Sequence, residues 1–140
     1  MQQYNSVSLH IRRGDYLKVK GAMSICTEDY YFKAISIICS KVENPHYYIF
    51  SNDIEWSNNF AKKLGVNYTV VDHNSGYDSY QDMYLMTQCK HNILANSSFS
   101  WWGAYLNQHK DAIRIAPQIW CIGHSEERLK IDTPENWLRI

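Results

Sequence analysis

Two adjacent arginines, Arg12 and Arg13, carry the most specific binding chemistry in this sequence. A guanidinium is a planar fork that pairs with two phosphate oxygens at once. The pair ends an apolar alternation that places His10 on the same strand face as Arg12, opposite the face of the apolar residues. Gly14 permits a sharp turn, and Asp15 can then hold one guanidinium in place. The run predicts a phosphate site, and the competing interpretation is a salt-bridge cluster on the surface.

Two further polar runs each follow a predicted strand: Ser51, Asn52 and Asp53, and Asn96, Ser97, Ser98, Phe99 and Ser100. The second run leads into a predicted helix, where backbone N–H groups and hydroxyls bind anions without lysine. Capping of that helix by Ser98 or Ser100 explains the same residues equally well. Asp53 either accepts from a base or a ribose hydroxyl, or caps the helix that follows it.

Alternating periodicities predict the elements that position these runs. Strands are expected near residues 7–12, 47–50, 68–71, 92–95 and 112–116, and helices over 28–43, 56–64, 80–89 and 101–107. Thr27 is the expected N-cap of the first helix, and Gly65 the C-cap of the second. This alternation predicts an α/β fold, a Rossmann-like parallel sheet with helices on both faces. Ligands bind such sheets at the carboxyl ends of the strands, where all three polar runs fall.

Composition excludes several classes of protein. The chain has 140 residues, enough for one domain, and its 14 Lys and Arg balance 14 Asp and Glu. No global positive field draws it to nucleic acid, so we expect no nucleic-acid partner. The sequence has no P-loop, no G-x-G-x-x-G and no D-x-D, so arginines and helix-end amides, rather than a metal, would neutralise a diphosphate. The four dispersed cysteines, Cys26, Cys39, Cys89 and Cys121, predict buried free thiols rather than zinc or disulfide frameworks.

Three segments resemble the motifs of the α-1,2-fucosyltransferases, glycosyltransferase family eleven. Residues 10–16, His-Ile-Arg-Arg-Gly-Asp-Tyr, are similar to H-x-R-R-x-D-Y, residues 82–103 to a second, longer motif, and residues 50–53, Phe-Ser-Asn-Asp, to a third. The resemblance implies the C-terminal donor-binding domain of a GT-B enzyme. Such an enzyme moves fucose from GDP-β-L-fucose to the 2-hydroxyl of a terminal galactose on a glycan acceptor, with inversion and without a metal or another cofactor.

The same resemblance assigns roles to residues. Arg12 and Arg13 would clamp the diphosphate. Asp15, the third catalytic residue, is the nearest carboxylate, and it would either orient an arginine or act as the general base. The donor would contact His10, Ser51, Asn52, Asp53, Asp82 and Asn96, and its β-phosphate would contact Ser97, Ser98, Phe99 and Ser100. Family members are about twice this long, with these motifs in their C-terminal half. We therefore expect residues 1–140 to form a single GDP-fucose-binding domain that lacks the acceptor half and has little or no activity alone.

Two other functions fit the sequence. One is a non-catalytic module that binds a nucleotide sugar. The other is a glycan-binding or adhesion domain that uses the Tyr- and Trp-rich surface and the Arg13-Gly14-Asp15 triplet.

The sequence also bears on localisation. No apolar run approaches the ~18 residues of a membrane span, and the first residues do not resemble a signal peptide. Asn67 and Asn96 begin N-glycosylation sequons, and a glycan on Asn96 would block the proposed phosphate site. We therefore expect a cytoplasmic protein of bacterial type, with peripheral association at the inner membrane, rather than an enzyme of the Golgi lumen.

Overall fold

The strands of the described residues form one parallel sheet. The computed structural model describes residues 3–18, 25–120 and 133–140. Within them lie β1 (Asn5–Ile11), β2 (Pro45–Ser51), β3 (Asn67–Val71), β4 (His91–Ile93), β5 (Arg114–Ala116) and β6 (Leu138–Arg139). Their order is β3-β2-β1-β4-β5-β6, and each neighbouring pair is parallel. This is the order of a dinucleotide-binding sheet, in which ligands bind where the order reverses, here between β1 and β4. The predicted Rossmann-like sheet is confirmed, and the short β6 is an addition to it.

Four helices connect these strands: α1 (Glu28–Lys41), α2 (Ile54–Ala61), α3 (Ser79–Gln88) and α4 (Ser98–Tyr105). Thr27 caps α1 as predicted, because its hydroxyl accepts a 3.2 Å hydrogen bond from the Tyr30 N–H. Helix α2 ends at Ala61, and two further turn bonds lead to Gly65, whose φ of +62° favours glycine. Helix α4 begins at Ser98, three residues before the predicted start at residue 101, and Ser97 caps it.

Strand β1 divides the core into two layers. Successive side chains of a strand point to opposite faces, and all of β1 from Ser6 to Ile11 is buried. Val7, Leu9 and Ile11 pack with the buried side chains of α1 and with Phe60 of α2. A second cluster contains Phe50, Val71 and Met86, the last from α3, with Phe99 of α4 packed against it. His10 lies 5.7 Å from Phe99, ring centroid to ring centroid, so the even-numbered residues of β1 face α3 and α4.

Helices α3 and α4 approach each other closely at a glycine. A Cβ added at Gly103 would lie 2.9 Å from the Cβ of Met86, which is closer than real Cβ contacts come. The Cβ of Met86 is fixed to its own backbone, so a side chain at residue 103 would have to push the helices apart. Glycine at this position therefore sets the spacing of α3 and α4.

Two other expectations concern cysteines and membrane spans. Cys26 and Cys89 are buried free thiols, as predicted, whereas Cys39 is free but exposed, with its Sγ 3.3 Å from the Tyr47 hydroxyl. Cys121 lies outside the described residues. Of the helices described, none combines the length and the apolar character that crossing a bilayer requires.

A buried amide network joins the sheet to α3. The Asn92 side-chain amide donates to Ser8 Oγ at 2.7 Å and to the Met86 carbonyl at 3.0 Å. Its oxygen accepts from the Asn107 amide at 2.7 Å, and that amide also donates to the Cys89 carbonyl at 2.8 Å. Because buried polar groups are costly when unpaired, these bonds fix the relative positions of β1, β4 and α3.

Replacing Asn92 with alanine should therefore destabilise the fold strongly. The change removes the hydrogen bond that Ser8 Oγ accepts and one of the two acceptors of the Asn107 amide, which keeps only the Cys89 carbonyl. Leaving these buried groups underpaired should cost roughly 1–3 kcal/mol of unfolding free energy. Urea unfolding monitored by circular dichroism measures this as a lower midpoint at unchanged slope. Asn58→Ala, at an exposed position of α2, is the matched control and should shift the midpoint little. Equal effects of the two changes would contradict the role of the network.

Candidate functional site

A cavity of about 370 Å³ opens at the carboxyl edge of the sheet. Its walls come from the ends of β1, β2 and β3, from the start of α3 and from α4. The lining residues are His10, Arg12, Phe50, Ser51, Asn52, Ile54, Asp72, Asn74, Ser75, Gly76, Ser79, Asp82 and Phe99. Six of the predicted site residues line this cavity: His10, Arg12, Ser51, Asn52, Asp82 and Phe99. Part of each polar run therefore lies at this one edge of the sheet, as expected.

His10 contributes an unpaired nitrogen to the cavity wall. Its side chain is 4% exposed, and its Nδ1 is buried without a hydrogen-bond partner among the described residues. Burial lowers the pKa of His10 to about 3, and the neighbouring Arg12 charge adds to the effect. The imidazole is therefore neutral near pH 7, and it can donate or accept one hydrogen bond with a ligand.

Arg12, which directly follows β1, supplies a second polar side chain to the cavity wall. Its Nη2 donates to Asp15 Oδ2 at 2.6 Å, and its Cζ lies 5.4 Å from the Tyr16 ring centroid. The hydrogen bond from Arg12 is the main cause that holds the pKa of Asp15 below its usual range. The buried Nε of Arg12 has no hydrogen-bond partner among the described residues. Asp15 thus orients this guanidinium, as expected, and leaves part of its donor set unused.

Asn52 ties the end of β2 to the turn that carries Arg12. Its Oδ1 accepts from the Arg13 N–H at 2.9 Å, and its Nδ2 donates to Asp15 Oδ1 at 3.0 Å. The contact requires glycine in the turn, since a Cβ added at Gly14 would lie 2.9 Å from Asn52 Nδ2. The predicted freedom of Gly14 therefore serves a close approach between the two loops.

Arg13 does not line the cavity. Its Cζ lies 4.2 Å from the Trp56 ring centroid, and its Nε lies 3.9 Å from Asp53 Oδ2. Asp53 does not line the cavity either, and its Oδ1 accepts from the Trp56 N–H at 3.1 Å as the N-cap of α2. Of the two interpretations of Asp53, the structure contains the helix cap.

The run before α4 is also largely engaged within the protein. The Ser97 hydroxyl accepts from the Phe99 N–H at 3.3 Å, and the buried Ser100 hydroxyl donates to the Ala95 carbonyl at 3.2 Å. The Asn96 amide donates to the Trp120 carbonyl at 3.0 Å, while Ser98 is exposed outside the cavity lining. A serine of this run caps α4, but it is Ser97 rather than the expected Ser98 or Ser100. Phosphate binding by this run stays a prediction.

The loop between β3 and α3 is the part of the site that the sequence analysis missed. Asp72, Asn74, Ser75 and Gly76 line the cavity together with Asp82, whose Oδ1 accepts from Asn74 Nδ2 at 2.6 Å. Burial raises the pKa of Asp82. The signal was available, because these residues follow a strand of the same sheet and so belong to the same edge.

Metal-ligating side chains do not gather at this site. No group of three His, Cys, Asp or Glu residues suited to a metal ion occurs in residues 3–18, 25–120 and 133–140. Whether any reaction here needs a metal stays a prediction from the sequence.

The order of the sheet and the position of the cavity define an α/β protein with a Rossmann-type sheet. The family model described as glycosyl transferase family 11 matches residues 1–140. The chain therefore belongs to glycosyl transferase family 11, a family with the GT-B fold.

Several relatives of this chain have names that state an activity. The chain is 41% identical over 140 residues to an alpha-1,2-colitosyltransferase of Escherichia coli, covering 97% of this chain and 48% of the relative. It is 40% identical to the O-antigen biosynthesis glycosyltransferase WbnK of Escherichia coli, covering 97% of this chain and 45% of that protein. Human galactoside alpha-(1,2)-fucosyltransferase 1 is 30% identical over 105 residues, covering 71% of this chain and 28% of the human protein. The chain thus spans about half the length of the two bacterial relatives.

The depressed pKa of His10 predicts a loss of stability in acid. In the folded state the ring stays neutral down to about pH 3, whereas in the unfolded chain it takes up a proton near pH 6.5. Between these values the unfolded state binds the extra proton, so stability should fall as pH falls, by up to about 1.4 kcal/mol per pH unit.

Urea unfolding at pH 7, 6, 5 and 4.5 tests this, with His10→Gln compared to the unmodified protein. The unfolding free energy of the variant should change less with pH between pH 7 and 4.5, because the other groups titrate equally in both proteins. His109→Gln, which replaces an exposed histidine, should keep the original slope. Parallel curves for the protein and its His10→Gln variant would refute the buried, neutral state of the ring.

Proposed function

We propose that this chain is the donor-binding part of an inverting α-1,2-fucosyltransferase that uses GDP-β-L-fucose. The acceptor is a galactose-terminated glycan, and fucose is transferred to its 2-hydroxyl without a metal. One observation carries the proposal: His10, Arg12 and Asp82 converge on a single cavity at the carboxyl edge of a Rossmann-type sheet, in a member of family 11. The likeness to human galactoside alpha-(1,2)-fucosyltransferase 1 supports the choice of fucose and galactose.

The cavity suits a guanine base. Phe50, Ile54 and Phe99 supply apolar wall, and Asp82 supplies a buried carboxylate. Guanine presents two adjacent N–H groups, on N1 and on the 2-amino group, which a carboxylate accepts together. Adenine has no such pair of donors. The unpaired Nδ1 of His10 provides a further hydrogen bond to the base or ribose. These groups favour GDP over ADP as the nucleotide.

Arg12 is placed for the leaving group. In an inverting transfer the acceptor oxygen forms its bond to the anomeric carbon as the bond to the β-phosphate oxygen breaks, and negative charge grows on GDP. A guanidinium that Asp15 already holds in place stabilises this charge without reorganising. The lowered pKa of Asp15 makes that carboxylate a weak base, so its role here is to orient Arg12, and another group takes the proton of the acceptor hydroxyl.

The transferred sugar has a second candidate. The 41% identity to an alpha-1,2-colitosyltransferase makes colitose a specific alternative to fucose on the same nucleotide site. The likeness to two Escherichia coli proteins also supports a bacterial-type enzyme that works in the cytoplasm, peripherally at the inner membrane. Comparing GDP-fucose with GDP-colitose as donors for the chain extended to the length of its relatives separates the two sugars.

Titration calorimetry without added metal tests the nucleotide assignment. GDP should bind, and ADP and UDP should bind much more weakly. Asp82→Asn should weaken GDP binding by about 10- to 100-fold, the loss expected for a charged hydrogen-bonded pair, and leave ADP unchanged. Asp78→Asn, at an exposed carboxylate near the start of α3, is the matched control. Binding to galactosides but not to GDP would support a glycan-binding domain instead.

Arg12→Lys tests the proposed catalytic role. A lysine keeps the charge but loses the planar fork, so transfer to lactose should slow by about 10²–10³-fold, on the order of 3–4 kcal/mol. The rate is measured with GDP-fucose in the chain extended to the length of its relatives. Lys62→Gln removes an exposed charge from the end of α2 and should not change the rate. Full activity in Arg12→Lys would show that transfer does not need the planar guanidinium. An extended chain that binds GDP but never transfers the sugar would indicate a non-catalytic module.

A further inference from the structure

We propose that Arg13 is a positioning residue, and that only Arg12 of the pair contacts the donor diphosphate. This inference rests on the proposed function and divides the two arginines that the sequence motif presents as one clamp. Arg12 lines the cavity, whereas Arg13 anchors the turn that carries Arg12 to helix α2.

The contacts of the two arginines account for the division. Within β1, Ile11 faces the layer of α1 and α2, and His10 faces the cavity. Arg12 follows the end of the strand and lines the same cavity as His10. Arg13 contacts Trp56 of α2, which packs against the core formed with Ile11. The two guanidiniums therefore have different surroundings.

The contacts of Arg13 form a seat for its guanidinium. Cζ lies 4.2 Å from the Trp56 ring centroid, a distance at which the cation is attracted to the face of the ring. Nε lies 3.9 Å from Asp53 Oδ2, an ion pair without a hydrogen bond, and it is buried with no hydrogen-bond partner among the described residues. The Arg13 side chain is 22% exposed. Trp56 is held in turn by Phe60, with ring centroids 5.0 Å apart and ring planes 14° apart. Since Phe60 is buried, the seat is fixed to the core.

These contacts of Arg13 hold the turn between β1 and a single 3₁₀ turn at Tyr16–Lys18. The Arg13 N–H donates to Asn52 Oδ1, and its carbonyl accepts from the Leu17 N–H at 3.0 Å. The ion pair of Arg12 with Asp15 lies inside the same turn. To bind phosphate in the cavity, Arg13 would have to give up its contacts with Trp56 and Asp53. Fixing Arg12 is the role that the observed contacts support.

Double-variant cycles on GDP affinity test the inference. Arg13→Gln should weaken GDP binding by about 3- to 10-fold in the original protein, but by less than about 2-fold when Arg12→Gln is already present, because it acts through Arg12. Trp56→Leu should reproduce the loss of Arg13→Gln, and the two changes together should be no worse than either alone. Trp56→Phe keeps an aromatic face and should restore most of the affinity. Lys63→Gln, which removes an exposed cation, is the control.

The opposite pattern would overturn the inference. If Arg13 contacts phosphate directly, Arg13→Gln lowers GDP affinity by the same factor with or without Arg12, and Trp56→Leu leaves the affinity unchanged.

Hydrogen exchange provides a readout that needs no donor. The Leu17 and Lys18 amides donate to the Arg13 and Asp15 carbonyls, at 3.0 and 3.1 Å. Arg13→Gln and Trp56→Leu should both speed exchange at these amides, whereas Lys63→Gln and Trp56→Phe should not. Unchanged exchange in Arg13→Gln would overturn the positioning role. If the original protein fails to bind GDP, the proposed function fails, and the exchange rates still decide whether Arg13 holds the turn. Should Trp56→Leu not fold, Arg13→Gln and Trp56→Phe carry the comparison.

Discussion

Strand β1 pairs with β2 from Asn5 to Ile11 and with β4 from Val7 to Leu9, and this constraint governs the candidate site. A strand held between parallel neighbours cannot rotate or slip, so the direction of each of its side chains follows from its position in the sequence. His10 therefore faces the cavity. Arg12 and Arg13 follow the end of the strand, and their directions depend on their own contacts, Arg12 with Asp15 and Arg13 with Trp56.

Much of this arrangement was predictable from the sequence, for reasons that particular residues illustrate. The apolar alternation before Arg12 predicted β1, Thr27 predicted the start of α1, and the position of polar runs after strands predicted the edge where the cavity lies. Each of these signals is local, or depends on a rule that every parallel sheet obeys. Strand β6 has two residues, too few to show a period.

Other features could not be predicted because one pattern serves two purposes. A serine or aspartate at the start of a helix offers the same groups to its own backbone and to an anion. Asp53 and Ser97 are caps here, and only the folded geometry distinguishes that role from ligand binding. The direction of Arg13 depends on Trp56, which lies 43 positions later in the sequence. The loop after β3 was overlooked although the rule for strand ends applied to it as well.

The arginines of the site are accompanied by carboxylates rather than left as bare positive charges. Asp15 pairs with Arg12, and Asp53 lies beside Arg13, in a chain whose overall charge is zero. An incoming diphosphate must therefore compete with a carboxylate for Arg12. This competition makes the site depend on the geometry of the anion more than on its charge, which is how electrostatic contacts contribute to specificity.

The contact between Gly103 and Met86 has a consequence for the shape of the cavity. Asp82 precedes Met86 by four residues on α3, and Phe99 precedes Gly103 by four on α4, so each wall residue stands one helical turn above the contact. The separation of these walls depends on how closely α3 and α4 approach each other at Gly103, and a change of side-chain rotamer does not alter it. A substitution at Gly103 could only widen the pocket, by moving the helices apart, because glycine already permits their closest approach.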